Sequence, residues 1–211
     1  TQNQAFSALL FLYRTLWNID LAGMEGAVRA RRGRKLPTVI SEQEVRHLLG
    51  QMEGTFYLVA SLLYGAGLRL REGVKLRIKD VDFHRKTLEI RGGKGNRDRF
   101  MMLPDKILPD LQTHRERVKG LWRSDRLDEL PGVEMPDALD SKMPKAGESL
   151  EWQWFFPSRQ LSTDPRTKIR RRHHVHPGSV RNAVQRAART AELTRRVTCH
   201  TLRHCFATHL L

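Results

Sequence analysis

The sequence predicts a mostly helical α+β fold with one small antiparallel sheet. Helix signals (apolar residues at i, i+3, i+4, i+7, or a cap followed by an apolar run) fill most of the chain. Over residues 81–103 alone the period falls to two, broken by polar and glycine turns. Hydrophobic residues make up 39% of the 211, enough to bury a core and exclude wholesale disorder. That length suits one domain, or one domain plus part of another.

Taken in order, Gln4 to Trp17 places Phe6, Leu9, Leu10, Tyr13, Leu16 and Trp17 on one helical face. So apolar a helix needs something to pack on, so residues 1–28 read as the remnant of a preceding helical domain. Residues 29–37 hold five cations, a glycine and a closing proline, and read as a basic linker, either a solvated tether or a phosphate contact. Residues 38–211 form the main domain. Ser41 with Glu44 is a capping box that opens a helix running through Leu49. A second helix spans about Phe56 to Tyr64 and is broken by Gly65-Ala-Gly67; a short one follows from Arg69 to Leu76. Strands come next around Val81 and Phe83, then Leu88 and Ile90, then Arg97 to Leu103, with turns at His84-Arg-Lys86 and Gly92-Gly-Lys-Gly95. A helix from about Asp105 to Trp122 precedes an inserted, partly irregular segment over about 124–176. Its first part, 124–151, carries eight acids against three bases, whereas 158–211 carries twelve bases against two acids. Helices near Ser179–Ala191 and Cys199–Leu211 end the chain, the last capped by Thr198 with Leu202, Phe206 and Leu210 on its buried side.

The charge balance narrows the partner. Thirty-eight Lys and Arg against 23 Asp and Glu give +15 and a pI near 10.7, which points to a polyanion. Of those cations 28 are Arg and 10 are Lys, a bias suited to bidentate gripping of phosphate. Cys199 and Cys205 cannot make a disulfide framework and suit a reducing compartment. No run approaches the roughly 18 apolar residues of a membrane span, and no secretory signal pattern opens the chain, so membrane and secreted readings drop out.

Three places could carry chemistry. Arg69 follows a glycine break at a helix start, where backbone N–H groups already favour an anion, and Glu72 at i+3 can hold its guanidinium; a plain surface ion pair is the alternative. His200 and Arg203, one turn apart, project an acid/base group and a phosphate fork from another helix start. Lys94 sits on a glycine-rich hairpin turn, able to reach into a cleft as a proton donor or to remain a solvated turn residue. His173, His174, His176, His200, His204 and His209 with the cysteines lack any C-x-x-C or H-E-x-x-H spacing, so no metal site is expected.

Arg69 with Glu72, then Lys94, then His200-Thr-Leu-Arg203-His204, in that order, resembles the tyrosine recombinase (phage integrase) family across nearly the whole chain. The segment Glu151-Trp-Gln-Trp-Phe-Phe-Pro-Ser158, with Asp164-Pro-Arg and Arg171-Arg-His-His174, resembles the insertion of integron integrases, which capture and shuffle gene cassettes. The resemblance implies that Arg69 and Arg203 clamp the scissile phosphate, Lys94 protonates the leaving 5′-hydroxyl, His200 is the acid/base on the nucleophile, and Glu72 supports Arg69. It implies no metal or cofactor, a double-stranded attachment site and a folded single-stranded hairpin as DNA partners, a homotetramer on DNA, and a bacterial, nucleoid-associated cytoplasmic location. Trp152, Trp154, His173 and His174 would hold extrahelical bases, unless the tryptophans are core and the histidines merely exposed. Arg31, Arg32, Arg97, Arg170, Arg171 and Arg172 would touch backbone phosphates or stay solvated.

The family's nucleophile is a tyrosine beyond the His-x-x-Arg motif, and the only tyrosines here are Tyr13, Tyr57 and Tyr64, all upstream of Arg69. The expectation is therefore a fragment lacking both ends, inactive alone. A non-catalytic DNA-binding module of the same fold, and a type IB topoisomerase-like enzyme, are the competing readings.

Overall fold

The computed structural model describes residues 2–21, 38–92, 98–136 and 139–210, and divides into two compact units, Thr1–Leu36 and Pro37–Leu211. In the first, α1 (Gln2–Leu16) presents Leu9, Phe11 and Leu16 to solvent, and Tyr13 meets Trp17 edge to face at 4.7 Å.

The second unit begins with α2 (Glu42–Gly50), where Ser41 and Glu44 form the reciprocal capping box that their spacing demands. The apolar α3 (Gly54–Gly65) runs through the core with Leu58, Val59, Leu62 and Leu63 buried, and α4 (Leu70–Val74) follows its glycine break. A three-stranded antiparallel sheet comes next in the order β1 (Val81–Asp82), β2 (Thr87–Ile90), β3 (Arg99–Met102), registered by Leu88 opposite Met101 and Ile90 opposite Arg99. Alternation buries Leu88 and Ile90 on one face of β2, while Phe100 on edge strand β3 stays 71% exposed. The long α5 (Leu108–Leu127) packs Leu111 and Val118 inward. A short α6 (Leu139–Lys142) lies in the acidic stretch, and α7 (Pro177–Thr190) and α8 (Cys199–His209) close the unit.

Two features depart from expectation. The sheet is not the only one: β4 (Pro157–Thr163) and β5 (Arg170–His174) form a separate antiparallel hairpin. Hydrophobic period cannot announce β5, because its sequence is Arg-Arg-Arg-His-His; ion pairs hold it instead. The expected insertion is also partly core. Phe155 and Phe156 are wholly buried, Phe155 donates its N–H to the Leu76 carbonyl, and the Phe155 carbonyl meets His114 Nε2 at 2.8 Å. Burial pushes the His114 imidazole down to about 4, so it stays neutral beneath the aromatic pair.

At the end of the chain, Leu202 is buried as expected, but Leu210 is 70% exposed and Phe206 only half-buried against Gly67. Cys205, one turn from Leu202, takes the inward place and accepts the Ile40 N–H at 3.4 Å. Among the described residues no helix is long and apolar enough to cross a membrane.

Candidate active site

The site is built where α3 stops. Gly67 has φ +59°, and a Cβ there would collide with the Phe206 ring of α8, so the turn needs glycine twice over. That close approach brings α8 against the break, and Arg203 Nη1 donates to the Gly67 carbonyl. Arg69 occupies the N-cap position of α4. Its backbone N–H donates to Glu72 Oε2 at 2.8 Å and its Nη1 to Oε1 at 2.7 Å, so one carboxylate fixes both the helix start and the guanidinium. The same carboxylate lies 3.8 Å from Arg203 Nη1. Arg69 and Arg203, 134 positions apart in sequence, thus face one acidic group.

His200 stands one turn before Arg203 on α8, whose start is capped by Thr198 and Thr201 reciprocally. Its imidazole meets His204 edge to face at 4.2 Å. Partial burial, then the charges of His204, Arg203 and Arg69, hold it below the ordinary histidine range, so it is neutral and able to accept a proton at physiological pH. Around it opens a cleft of about 490 Å³ lined by Arg69, Arg71, Arg181, Arg196, His200 and Arg203. Such a cleft can bind a phosphodiester through paired guanidinium forks beside a neutral base.

Glu72 is the hinge of the electrostatics. Burial alone would raise its carboxyl, but hydrogen bonds from Arg99 and from the Arg69 backbone and side chain bring it down to about 2. Arg99, which the motif reading did not single out, donates Nη2 to Oε2 at 2.6 Å and Nη1 to Oε1 at 3.1 Å. Strand register could have found it, since Arg99 faces Ile90 at the end of the β2–β3 ladder. Arg181 and Arg196 had no sequence signal beyond their charge.

Of the other residues singled out by sequence, Lys94, Arg97, Arg31 and Arg32 lie outside the described residues. Arg170 is an exposed cation on the hairpin. Arg171 and Arg172, expected as phosphate contacts or solvated cations, are both buried. Arg171 is 5% exposed and pairs with Asp164 at 2.7 Å; Arg172 is 8% exposed and grips both Asp125 oxygens at 2.5 and 2.6 Å. Arg172 spends all three of its nitrogens on Asp125 and the Ser158 and Arg159 carbonyls and so pins β5 in place, while Arg171 bonds Asp164 and Thr167 through Nη2.

The aromatic pair is divided. Trp154 is 4% exposed, with the Arg77 guanidinium 3.9 Å over its ring and His174 edge-on at 5.1 Å. Trp152 is only half-buried, with Lys79 Nζ 2.9 Å from its ring centre. Trp152, Trp154, Arg77 and Lys79, with Glu72, Asp80, Arg91 and Glu134, border a second cleft that shares Arg71 with the first. His173 is half-buried with Nδ1 3.9 Å from Glu134, and His174 Nδ1 donates to the Val175 carbonyl. Among the described residues no cluster of three or more His, Cys, Asp or Glu could hold a metal.

This arrangement, a helical unit with a small edge sheet and an arginine pair at the α3–α8 junction, is the catalytic-domain fold of tyrosine recombinases. The Phage integrase family model matches residues 38–211, and the chain belongs to that family. An integrase/recombinase of Escherichia coli is 44% identical over all 211 residues, which span 63% of that protein. The chain therefore covers less than two thirds of its curated relative. The crystal structure of XerA recombinase superposes with a TM-score of 0.51 at 20% identity, covering 99% of this chain and 61% of that one. XerH site-specific recombinase bound to its difH substrate, in a pre-cleavage complex, superposes at 0.52 and 22% identity, covering 83% of this chain and 43% of that one. At these identities both speak for fold alone.

Proposed function

We propose that residues 38–211 belong to the catalytic domain of a site-specific DNA recombinase of the integron type, which cuts and rejoins strands through a 3′-phosphotyrosyl link. The supporting observation is the shared carboxylate: Arg69 and Arg203 converge on Glu72 from two helices, with neutral His200 one turn from Arg203. In this reading the two guanidiniums take the non-bridging oxygens of the scissile phosphate and stabilise the charge that builds on them during attack. His200 manages the proton of the nucleophile, and Lys94 delivers one to the leaving 5′-oxygen. In this reading the attacking tyrosine is none of Tyr13, Tyr57 and Tyr64, all of which precede Arg69. In the same reading α1 belongs to a core-binding unit, and the basic linker expected at 29–37 lies outside the described residues.

The integron assignment rests on the segment around 152–174. Half-exposed Trp152 at the second cleft supplies a ring edge for an unstacked base of a folded hairpin, whereas buried Trp154 supports the wall. Cassette exchange would proceed in a DNA-bound homotetramer in the bacterial nucleoid.

Two assays test these levels. The 211-residue chain is expected to shift a DNA duplex in a gel yet trap no covalent band on a suicide substrate; a trapped band would place the nucleophile within these residues. Trp152→Ala is expected to weaken binding to a bulged hairpin more than to its unbulged counterpart, and equal losses on both would remove the integron assignment.

A further inference from the structure

We propose that Arg99 is a positioning residue of the cleavage site, gripping Glu72 so that Arg69 is held in place and the β2–β3 hairpin is tied to the arginine pair. The inference rests on the recombinase reading above. An ionised carboxylate offers about four acceptor sites. On Glu72, Oε1 accepts from Arg69 Nη1 and Arg99 Nη1, and Oε2 from the Arg69 backbone and Arg99 Nη2. Arg99 thus supplies half of the bonds that fix the carboxylate plane, and Arg69 depends on that plane for both of its own.

Charge gives the second reason. Arg69, Arg99 and Arg203 surround the one carboxylate, leaving two positive charges uncancelled beside the cleft. Arg69 and Arg203 would splay apart if Glu72 could turn away from them. A lysine at 99 could not replace the fork, because a single ammonium cannot satisfy both oxygens. Two of the five Arg99 N–H donors are committed to Glu72, one from each terminal nitrogen.

Connectivity gives the third. Arg99 opens β3 directly opposite Ile90, the last residue of β2. The clasp therefore ties the end of the β2–β3 ladder, through Glu72, to the start of α4.

The test uses the 211-residue chain with NMR detection of the Glu72 side-chain carboxyl and of the Arg69 and Arg203 guanidinium N–H signals, with inorganic phosphate as probe. In the unsubstituted chain, the carboxyl is expected to titrate far below the ordinary range, and both guanidinium signals to respond to phosphate together. Arg99→Gln is expected to move the carboxyl titration up toward the ordinary range and to raise the phosphate needed for the Arg69 response about tenfold. Arg99→Lys is expected to fall between the two in both readings. A role confined to sheet stability would lower the melting temperature while leaving carboxyl and phosphate readings where they were, and that result overturns the proposal. If Arg99→Gln does not fold, Arg99→Lys matching the unsubstituted chain in both readings overturns it equally. The two claims separate: the carboxyl titration decides the clasp whatever phosphate does, while phosphate silence in the unsubstituted chain overturns the cleavage-site reading and the positioning role with it.

Discussion

Arginine does two different jobs in this chain, and what its fork meets decides which. Arg172 meets a buried carboxylate, bonding Asp125 with Nε and Nη2 and the Ser158 and Arg159 carbonyls with Nη1. Breaking such a pair leaves a buried charge unmatched, so Arg172→Met is expected to cost about 3–5 kcal/mol in urea unfolding. Arg172→Met with Asp125→Leu should recover most of that loss, because the replacement pair carries no charge. Arg69 instead meets a carboxylate at the edge of a cleft. Glu72 titrates at about 2 in the folded chain and near 4.5 when unfolded, so its contribution is complete above pH 4.5 and is lost as pH falls through about 2. The difference amounts to about 3 kcal/mol. Urea melts from pH 6 downward are expected to show Glu72→Gln less stable than the unsubstituted chain at the top of that range, with the two curves converging in acid.

Elements, in turn, are placed by close approaches more than by propensity. α8 reaches the break after α3 because Gly67 has neither a Cβ to meet Phe206 nor a penalty for its positive φ. Gly67→Ala meets both obstacles, and a loss of about 2–4 kcal/mol is expected from left-handed strain and overpacking together. Because the Gly67 carbonyl also receives Arg203, that variant should disturb the Arg203 guanidinium signal even where it remains folded. The β4–β5 hairpin shows the opposite logic. Its strand of cations has no apolar face to bury, and its position comes from the Asp164 and Asp125 partners.

At the scale of the whole molecule, much was legible in the sequence. The helix starts at Ser41 and Thr198 followed from their caps, and the sheet from the switch to period two. The places of Arg69 and Glu72 at the start of α4, and of His200 and Arg203 on one side of α8, were legible from caps and spacing, whereas the roles proposed for them came from the resemblance. What was not legible depended on partners distant in sequence: the burial of Arg171 and Arg172, the core role of Phe155 and Phe156, the clasp of Arg99, and the arrival of Arg181 and Arg196 in the cleft. The net charge of +15 does not separate these roles, but salt does. If Arg71, Arg181 and Arg196 each touch one phosphate, their triple alanine variant should flatten the log–log salt dependence of DNA binding by about 2–3, at about 0.9 per contact. Arg171→Ala and Arg172→Ala should leave that slope unchanged and lower stability instead.

The convergence of Arg69, His200 and Arg203 on one phosphodiester is tested most directly by a crystal structure of this chain bound to a DNA duplex. The expected result is a single phosphate with its non-bridging oxygens at hydrogen-bond distance from both guanidiniums, about 2.7–2.9 Å, and the His200 ring on the same phosphorus. A backbone that crosses another face and leaves the arginine cleft empty would contradict it.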